Sequence, residues 1–349
     1  MSKRRAQGAA LPLIAMTGLL ALAAPGAQAQ TQTPENFYKG RTVSIYIGFG
    51  GGGSYDFYGH LIARHIGKHI PGNPTVVAQS MPGAGSFKLA NWLTSVAPKD
   101  GTAMGIVSQA AALEEALGSP GVQYKARDFN WIGRATSVIE IMMAWHTAGA
   151  KSIDDAYKTE VMIGGTGPGS PSEGYPKLLN AAAGTKFKII AGYPASAEVL
   201  LAMEKGEVDA AFTSYGSLSA YRQDWLDQKK VNLLVQGTVA RTQELPDVPA
   251  VGELGKTPED RRMLQLYAST ADIGRSFIAP PGLPAERVAT LRAAFDATMK
   301  DPEFRAEVTK AKAEFHPLPG ADLQKLIEAT AQTPPEIIAR MKGLLQAAK

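Results

Sequence analysis

Residues 42–60 read TVSIYIGFGGGGSYDFYGH, and this stretch decides the fold. Its first six residues are rich in β-branched and aromatic side chains, which predicts a strand at residues 42–47. The glycines at 50–53 then bend the chain, and a helical apolar pattern follows over residues 55–70. A helix that begins at such a turn offers free N–H groups and a partial positive charge, so this turn is predicted to bind an anion.

The polar side chains of this turn leave two interpretations open. Ser54 is predicted to cap the helix, and Asp56 lies in its first turn, where a carboxylate is favourable. Asp56 either stabilises only the helix start or also lies at the rim of a ligand site. Tyr55 and Tyr193 adjoin glycine turns and either wall a pocket or simply pack.

Two later turns repeat the arrangement. Residues 82–86, PGAGS, join a predicted strand at 75–79 to a predicted helix at 87–95, and residues 164–172, GGTGPGSPS, precede a predicted helix at 171–183. Ligands of open α/β sheets bind at the carboxyl ends of strands, where these turns lie. Short apolar runs alternate with helical patterns along the chain, so we expect a mostly parallel α/β protein with two lobes around one cleft. An ordinary capped turn remains the alternative for each segment.

The N-terminus has the pattern of an export signal. Lys3, Arg4 and Arg5 precede an apolar run at 11–24, and Ala27-Gln28-Ala29 predicts cleavage after Ala29. The alternative is an uncleaved anchor. Removing the three basic residues of the leader from the 36 in the chain leaves 33 against 32 acidic residues. This near neutrality gives no reason to expect a nucleic-acid partner.

A dinucleotide cofactor is not expected, although Gly48, Gly50 and Gly53 fit the G-x-G-x-x-G pattern. That site also needs an acidic residue about 20 positions later for the ribose. No Asp or Glu occurs between Asp56 and Asp100. We therefore predict no cofactor.

Signals for catalysis or metal binding are weak. His65 and His69 are four residues apart on the apolar side of a predicted helix, without the glutamate of H-E-x-x-H, so structural histidines are expected. The chain has no cysteine and no G-x-S-x-G motif. Glu114 and Glu115 fit a solvated helix face. We therefore predict neither an enzyme nor a metal site.

Taken together, the motifs resemble those of the substrate-binding receptors of tripartite tricarboxylate transporters, also called the Bordetella uptake gene receptors. The family shows P-G-G-G-T-D after its first strand, then N-R-P-G-A-G-G, G-Q-V-D, L-P-D-V-P and A-P-x-G-x-P. This chain has, in the same order, GGGSYD at 51–56, SMPGAGS at 80–86, GEVD at 206–209, LPDVP at 245–249 and APPGLP at 279–284.

The resemblance implies a bilobed type II periplasmic binding protein that closes on its ligand. It also implies a monomer that delivers the ligand to the membrane subunits of a transporter. The implied segments are residues 1–29 for the signal peptide, 30–135 and 237–349 for the first lobe, and 136–236 for the second, with crossings near 131–136 and 235–238. The implied ligand is a small organic carboxylate. The implied ligand-binding residues are Gly51, Gly52, Gly53, Ser54, Tyr55, Asp56, Pro82, Gly83, Ala84, Gly85, Ser86, Thr166, Gly167, Ser170, Tyr193, Ala195, Ser196 and Ala197.

The chain departs from the family pattern at several of these positions. Ser54 replaces a glycine, Tyr55 a threonine, and Phe87 stands where asparagine is common, so we expect a ligand with an apolar or aromatic body. Glu198 adds a negative charge near the second lobe, which either repels a second ligand carboxylate or pairs with a ligand ammonium, so a tricarboxylate is not expected. A sensory receptor for a histidine kinase and an exported hydrolase remain the alternatives.

Overall fold

The computed structural model describes residues 33–347, so the predicted leader and its cleavage after Ala29 lie outside the described residues. Eleven strands form two separate sheets within this part of the chain. The strands are β1 (Thr42–Ile47), β2 (Thr75–Ser80), β3 (Ala103–Ile106), β4 (Asn130–Arg134), β5 (Glu140–Trp145), β6 (Val161–Gly165), β7 (Phe187–Ala191), β8 (Ala210–Ser214), β9 (Val231–Gln236), β10 (Ser276–Ala279) and β11 (Leu318–Pro319).

Helices cover the faces of both sheets. None of them within residues 33–347 is long and apolar enough to span a membrane. The helices are α1 (Pro34–Tyr38), α2 (Ser54–Ile66), α3 (Phe87–Ser95), α4 (Ala111–Ala116), α5 (Ile153–Ala156), α6 (Pro171–Leu178), α7 (Ser196–Glu204), α8 (Tyr215–Tyr221), α9 (Gln223–Asp227), α10 (Pro258–Ala268), α11 (Ala285–Lys300), α12 (Pro302–Lys310), α13 (Gly320–Ala331) and α14 (Pro335–Ala347).

The first sheet has the strand order β11-β4-β10-β3-β1-β2 and defines the first lobe. Strand β1 pairs in parallel with both β2 and β3, whereas β10 lies antiparallel between β3 and β4. In β1, Val43, Ile45 and Ile47 are fully buried and alternate with partly exposed residues, because successive side chains point to opposite faces of a sheet. The glycine turn at residues 50–53 follows the carboxyl end of this strand.

The second sheet, with the order β7-β6-β8-β5-β9, repeats this plan and defines the second lobe. Strand β6 pairs in parallel with β7 and β8, and β5 lies antiparallel between β8 and β9. Strands β10 and β5, which run antiparallel to their neighbours, each arrive directly from the other lobe. At the edge of the first sheet, β11 also pairs antiparallel with β4. The predicted bilobed α/β fold is therefore confirmed, with β5 and β10 reversed where the chain crosses between the lobes.

Two chain segments that cross between the lobes are hydrogen-bonded to each other. The chain leaves the first sheet after Arg134 and enters the second at Glu140, near the predicted crossing. The returning segment lies beside it, because the Ala135 N–H donates to Arg275 O at 3.0 Å and the Arg275 N–H donates to Thr136 O at 2.9 Å. These paired crossing segments, here called the hinge, join the two lobes.

The return crossing lies later than the predicted boundary at residue 236. Residues 237–272 stay with the second lobe, since Met263, Leu264 and Tyr267 of α10 are buried in the same core as Tyr175 of α6. The chain re-enters the first sheet only at β10. The prediction failed because the exposed face of α10 is strongly polar, so the helix gave no apolar run to assign to a lobe.

The C-terminal segment also divides between the lobes, although the sequence assigned all of it to the first. Leu323 and Ile327 of α13 are buried in a first-lobe core with Trp131 of β4. Met341 of α14 is fully buried in the second-lobe core. The chain therefore passes between the lobes a third time after α13.

Candidate ligand-binding site

The first glycine turn is closed by its own side chains. Gly53 is the residue that caps α2, and Ser54, predicted as the cap, is instead its first helical residue. The Gly52 N–H donates to Asp56 Oδ2 at 3.1 Å, so this carboxylate holds the turn. Because the first N–H groups of a helix lack an acceptor within the helix, those of Ser54 and Tyr55 remain available at the start of α2.

The second turn has an unusual backbone. Four successive residues have positive φ, with values of 152° at Gly83, 49° at Ala84, 63° at Gly85 and 79° at Ser86. A left-handed conformation at a residue other than glycine costs about 1–3 kcal/mol and is kept only where the surroundings enforce it. One such restraint is the buried Ser86 hydroxyl, whose oxygen accepts the Ser108 N–H at 2.8 Å.

The turn between β6 and α6 is also bonded internally. The Gly167 N–H donates to Glu173 Oε1 at 2.9 Å, and the Thr166 N–H donates to Ser172 Oγ at 3.0 Å. The Ser170 hydroxyl donates to Gly167 O at 2.7 Å. These bonds give the turn a fixed shape, and the Ser170 and Ser172 hydroxyls are also bonded to each other.

The turns of the two lobes meet directly across the cleft. The Gly50 N–H of the first lobe donates to Pro194 O of the second at 3.0 Å. A β-carbon built on Gly52 would lie 2.8 Å from Ala197 Cβ, which shows how tightly these segments approach. The lobes are therefore in a closed arrangement.

Between the closed lobes lies a small, partly open cavity of about 50 Å³, here called the inner cavity. Its wall combines aromatic rings, several hydroxyl groups and one pair of opposite charges. The lining residues are Phe49, Gly53, Ser54, Tyr55, Glu140, Thr166, Ser170, Pro171, Ser172, Ala195, Ser196, Phe212, Thr213, Ser214 and Arg275.

Two larger pockets flank the inner cavity. The arginine pocket, about 550 Å³, shares Gly53, Ser196 and Thr213 with the inner cavity and is also lined by Gly52, Asp56, Phe57, His60, Arg64, Ala197, Leu200, Ser217, Tyr221 and Arg222. The tyrosine pocket, about 680 Å³, shares Thr166 with the inner cavity and is also lined by Gly48, Pro82, Gly83, Ala84, Gly167, Pro168, Glu173, Ala191, Gly192, Tyr193 and Pro194.

The charged pair of the inner cavity was not predicted from the sequence. Arg275 Nη2 lies 3.2 Å from Glu140 Oε1, and both side chains are almost completely buried. The guanidinium also donates from Nε to Ser54 Oγ at 2.7 Å and from Nη1 to Gln109 Oε1 at 2.6 Å. It therefore connects the hinge, the first turn of α2 and the start of β5.

The environment of this pair changes how its members ionise. Burial raises the pKa of the Glu140 carboxyl above its usual range, and the neighbouring Arg275 charge opposes that effect. Burial likewise raises the pKa of Tyr55, whose ring lies 4.1 Å from the Arg275 guanidinium carbon and stacks on Phe49. The Tyr55 oxygen accepts the Gln109 N–H at 3.0 Å, so this tyrosine both packs and lines the cavity.

The predicted site residues therefore come together, although not all at one pocket. Gly51, Gly85 and Ser86 line none of the three pockets described above, while the other fifteen predicted residues line at least one. Phe212, Thr213 and Ser214, at the end of β8, were missed because no glycine marks that turn.

Other side chains singled out in the sequence have structural partners. His65 Nε2 lies 2.7 Å from Glu307 Oε2, which connects α2 to α12. His69, in the turn that follows α2, lies with its Nε2 2.8 Å from Oδ2 of Asp301, the residue that caps α12. His65, Asp301 and Glu303 are close enough to share a cation, but Lys68 Nζ already lies within 2.7 Å of both carboxylates.

Glu114 is buried, so the prediction that it lies on a solvated helix face was wrong. Only 6% of its surface is exposed. It accepts a hydrogen bond from the Ser119 hydroxyl, and burial raises its pKa to about 7. The neighbouring Leu113 and Leu117 are buried in the second-lobe core, which the apolar pattern of a single short helix did not reveal.

Comparison with known proteins supports this architecture. A family model described as the tripartite tricarboxylate transporter family receptor matches residues 62–343. A UPF0065 protein of Bordetella bronchiseptica is 25% identical over 351 residues, covering 98% of this chain and 94% of that protein. A Rhodopseudomonas palustris protein solved with adipate has a TM-score of 0.67 and 20% identity, covering 87% of this chain and 97% of that one. A second protein of that organism, solved with malate, has a TM-score of 0.65 and 21% identity, covering 87% and 99%.

Proposed function

Because the chain belongs to the receptor family of tripartite tricarboxylate transporters, we propose that it is a periplasmic receptor for a small carboxylate. As a member of that family it binds a solute and is not an enzyme. The proposed receptor releases its ligand to transporter membrane subunits. The basic and apolar segments of residues 3–24, followed by Ala27-Gln28-Ala29, support export with cleavage after Ala29.

One observation carries the carboxylate proposal. Turns from both lobes close on a cavity that contains a single buried cation, Arg275, beside the start of α2. The N–H groups of Ser54 and Tyr55 and the helix dipole add partial positive charge at the same place. A carboxylate is the small organic group that these features complement best.

The walls of the pockets support an apolar or aromatic body for the ligand. Phe49, Tyr55 and Phe212 surround the inner cavity, and Phe57 and Leu200 line the arginine pocket. Burial of apolar ligand surface there contributes about 25 cal/mol per Å². The relatives solved with adipate and malate are consistent with a carboxylate head on bodies of different length.

A thermal-shift screen tests the proposal. The purified protein is melted with benzoate, adipate, malate and citrate, and with benzamide and adipamide as uncharged matches. A ligand at 100 times its dissociation constant stabilises a protein by about 2.7 kcal/mol, which raises the melting temperature by a few degrees. We expect a shift with benzoate or adipate and none with their amides. Equal shifts with the acids and the amides would reject carboxylate recognition.

A further inference from the structure

Arg275 occupies an unusual position for a charged residue. It lies in the crossing segment between the lobes, lines the inner cavity and is 2% exposed. Arginine is almost never fully buried unless it is paired, because removing its charge from water is unfavourable. Its placement in the hinge therefore needs an explanation.

The bonds of the guanidinium are incomplete. Its three nitrogens each donate once, to Ser54, Gln109 and Glu140. A guanidinium carries five N–H groups, so two have no acceptor among the bonds made by residues 33–347. The contact with Glu140 is a single bond through Nη2 and not the bidentate pairing that arginine makes with a well-placed carboxylate.

Stability alone does not account for the pair. Replacing a buried ion pair with apolar residues of similar size is often neutral or stabilising, so such a pair is weak evidence for a structural role. Both charges line a cavity, where a third group can reach them. One water-sized site needs about 10–15 Å³, so a cavity of about 50 Å³ accommodates a group of three heavy atoms.

We propose that Arg275 anchors the carboxylate head of the ligand in the inner cavity, with Glu140 as a competing counter-ion that weakens this anchor. The proposal rests on the receptor function above and deepens it. The ligand carboxylate takes the two unused N–H groups, and the ligand body extends past Gly53 and Ser196 into the arginine pocket. The ligand is therefore an elongated acid whose head is one carboxylate group.

Titration calorimetry with benzoate and adipate tests this assignment in three proteins beside the wild type. Glu140→Gln keeps the size of the side chain and one acceptor oxygen but removes the competing charge. Arg275→Met/Glu140→Gln removes both charges and leaves no unpaired ion. Arg241→Met/Glu253→Gln is the matched control, because this pair lies on the surface with a nitrogen–oxygen distance of 3.0 Å.

The anchor predicts opposite changes in the two cleft variants. Glu140→Gln should bind the acids about threefold more tightly or better, since the guanidinium is then uncompensated. The double cleft variant should bind them at least about 10-fold more weakly, which is the usual loss for a charge-assisted hydrogen bond. The surface control should stay within about twofold of the wild type.

Other outcomes separate the two proposals. Dissociation constants within twofold of the wild type in both cleft variants would overturn the anchor while leaving carboxylate binding intact. Equal weakening in Glu140→Gln and the double variant would also overturn it, because a merely structural pair predicts that result. A wild-type protein that binds neither acid but binds a neutral solute would reject the receptor's carboxylate specificity itself.

Discussion

A β-carbon added to Gly169 of the second lobe would lie 2.2 Å from the ring of Phe87 in the first lobe. Real β-carbons do not approach other atoms this closely, so the closed arrangement requires glycine at position 169. Phe87 is itself buried in the first-lobe core and has little room to move. The lobes therefore close by contact between backbone and an aromatic ring at this point.

We expect Gly169→Ala to hinder closure without unfolding either lobe. Overpacking of a tight contact costs about 1–3 kcal/mol, so the affinity for adipate should fall by roughly 10-fold in titration calorimetry. Phe87→Leu/Gly169→Ala should recover part of the loss, because the smaller side chain makes room. Strictly additive effects of the two substitutions would show that the ring and residue 169 do not meet in the bound state.

The ion pair in the cleft predicts a non-additive effect on stability. Arg275→Met leaves Glu140 buried without its partner and should lower the free energy of unfolding by about 3–5 kcal/mol. Arg275→Met/Glu140→Gln should lose less than the single variant, because no isolated charge remains. Urea unfolding of both proteins measures the difference. A double variant less stable than the single one would contradict the pairing.

Glu114 predicts a pH dependence of stability. Burial raises its pKa to about 7 from the usual 4.5 of a glutamate, so the folded protein retains a proton there that the unfolded chain has released. The stabilisation that protonated Glu114 provides is therefore lost as the pH rises from the unfolded pKa of 4.5 through the folded pKa of about 7. Glu114→Gln stays neutral throughout, so its melting temperature relative to the wild type should rise between pH 5 and pH 8.

The control for this prediction is Glu328→Gln, which changes an exposed carboxylate of α13. Its melting temperature should run parallel to that of the wild type across the same range. A Glu114→Gln curve that also runs parallel would mean that Glu114 titrates alike in the folded and unfolded states.

Local elements were the most predictable part of the molecule. The bounds of β1 and α3 agree with the sequence prediction, since periodicity and flanking turn residues act within a few positions. The turns that meet at the cleft were also found, because glycines mark them. In contrast, β10 was missed, since four residues are too few for a periodic pattern.

The pairing of Arg275 with Glu140 was beyond prediction because 135 residues separate them. A signal nevertheless exists in the sequence. Arg275 lies just before the apolar run SFIA, and Glu140 interrupts the run VIEIMMAW. A charge within a buried run needs an opposite charge, so two such residues of opposite sign suggest each other. Only the fold shows that both lie at the hinge.

The lobe assignment of the C-terminal helix gives the last prediction. Met341 of α14 is fully buried in the second-lobe core, although the preceding helix packs on the first lobe. Met341→Ala should lower the free energy of unfolding by about 2–5 kcal/mol in urea, as for other large-to-small core changes. Leu201→Ala, at a side chain that is 45% exposed, is the control and should cost much less. Equal small losses in the two variants would mean that α14 does not dock on the second lobe. The inference that the chain crosses between the lobes a third time would then be wrong.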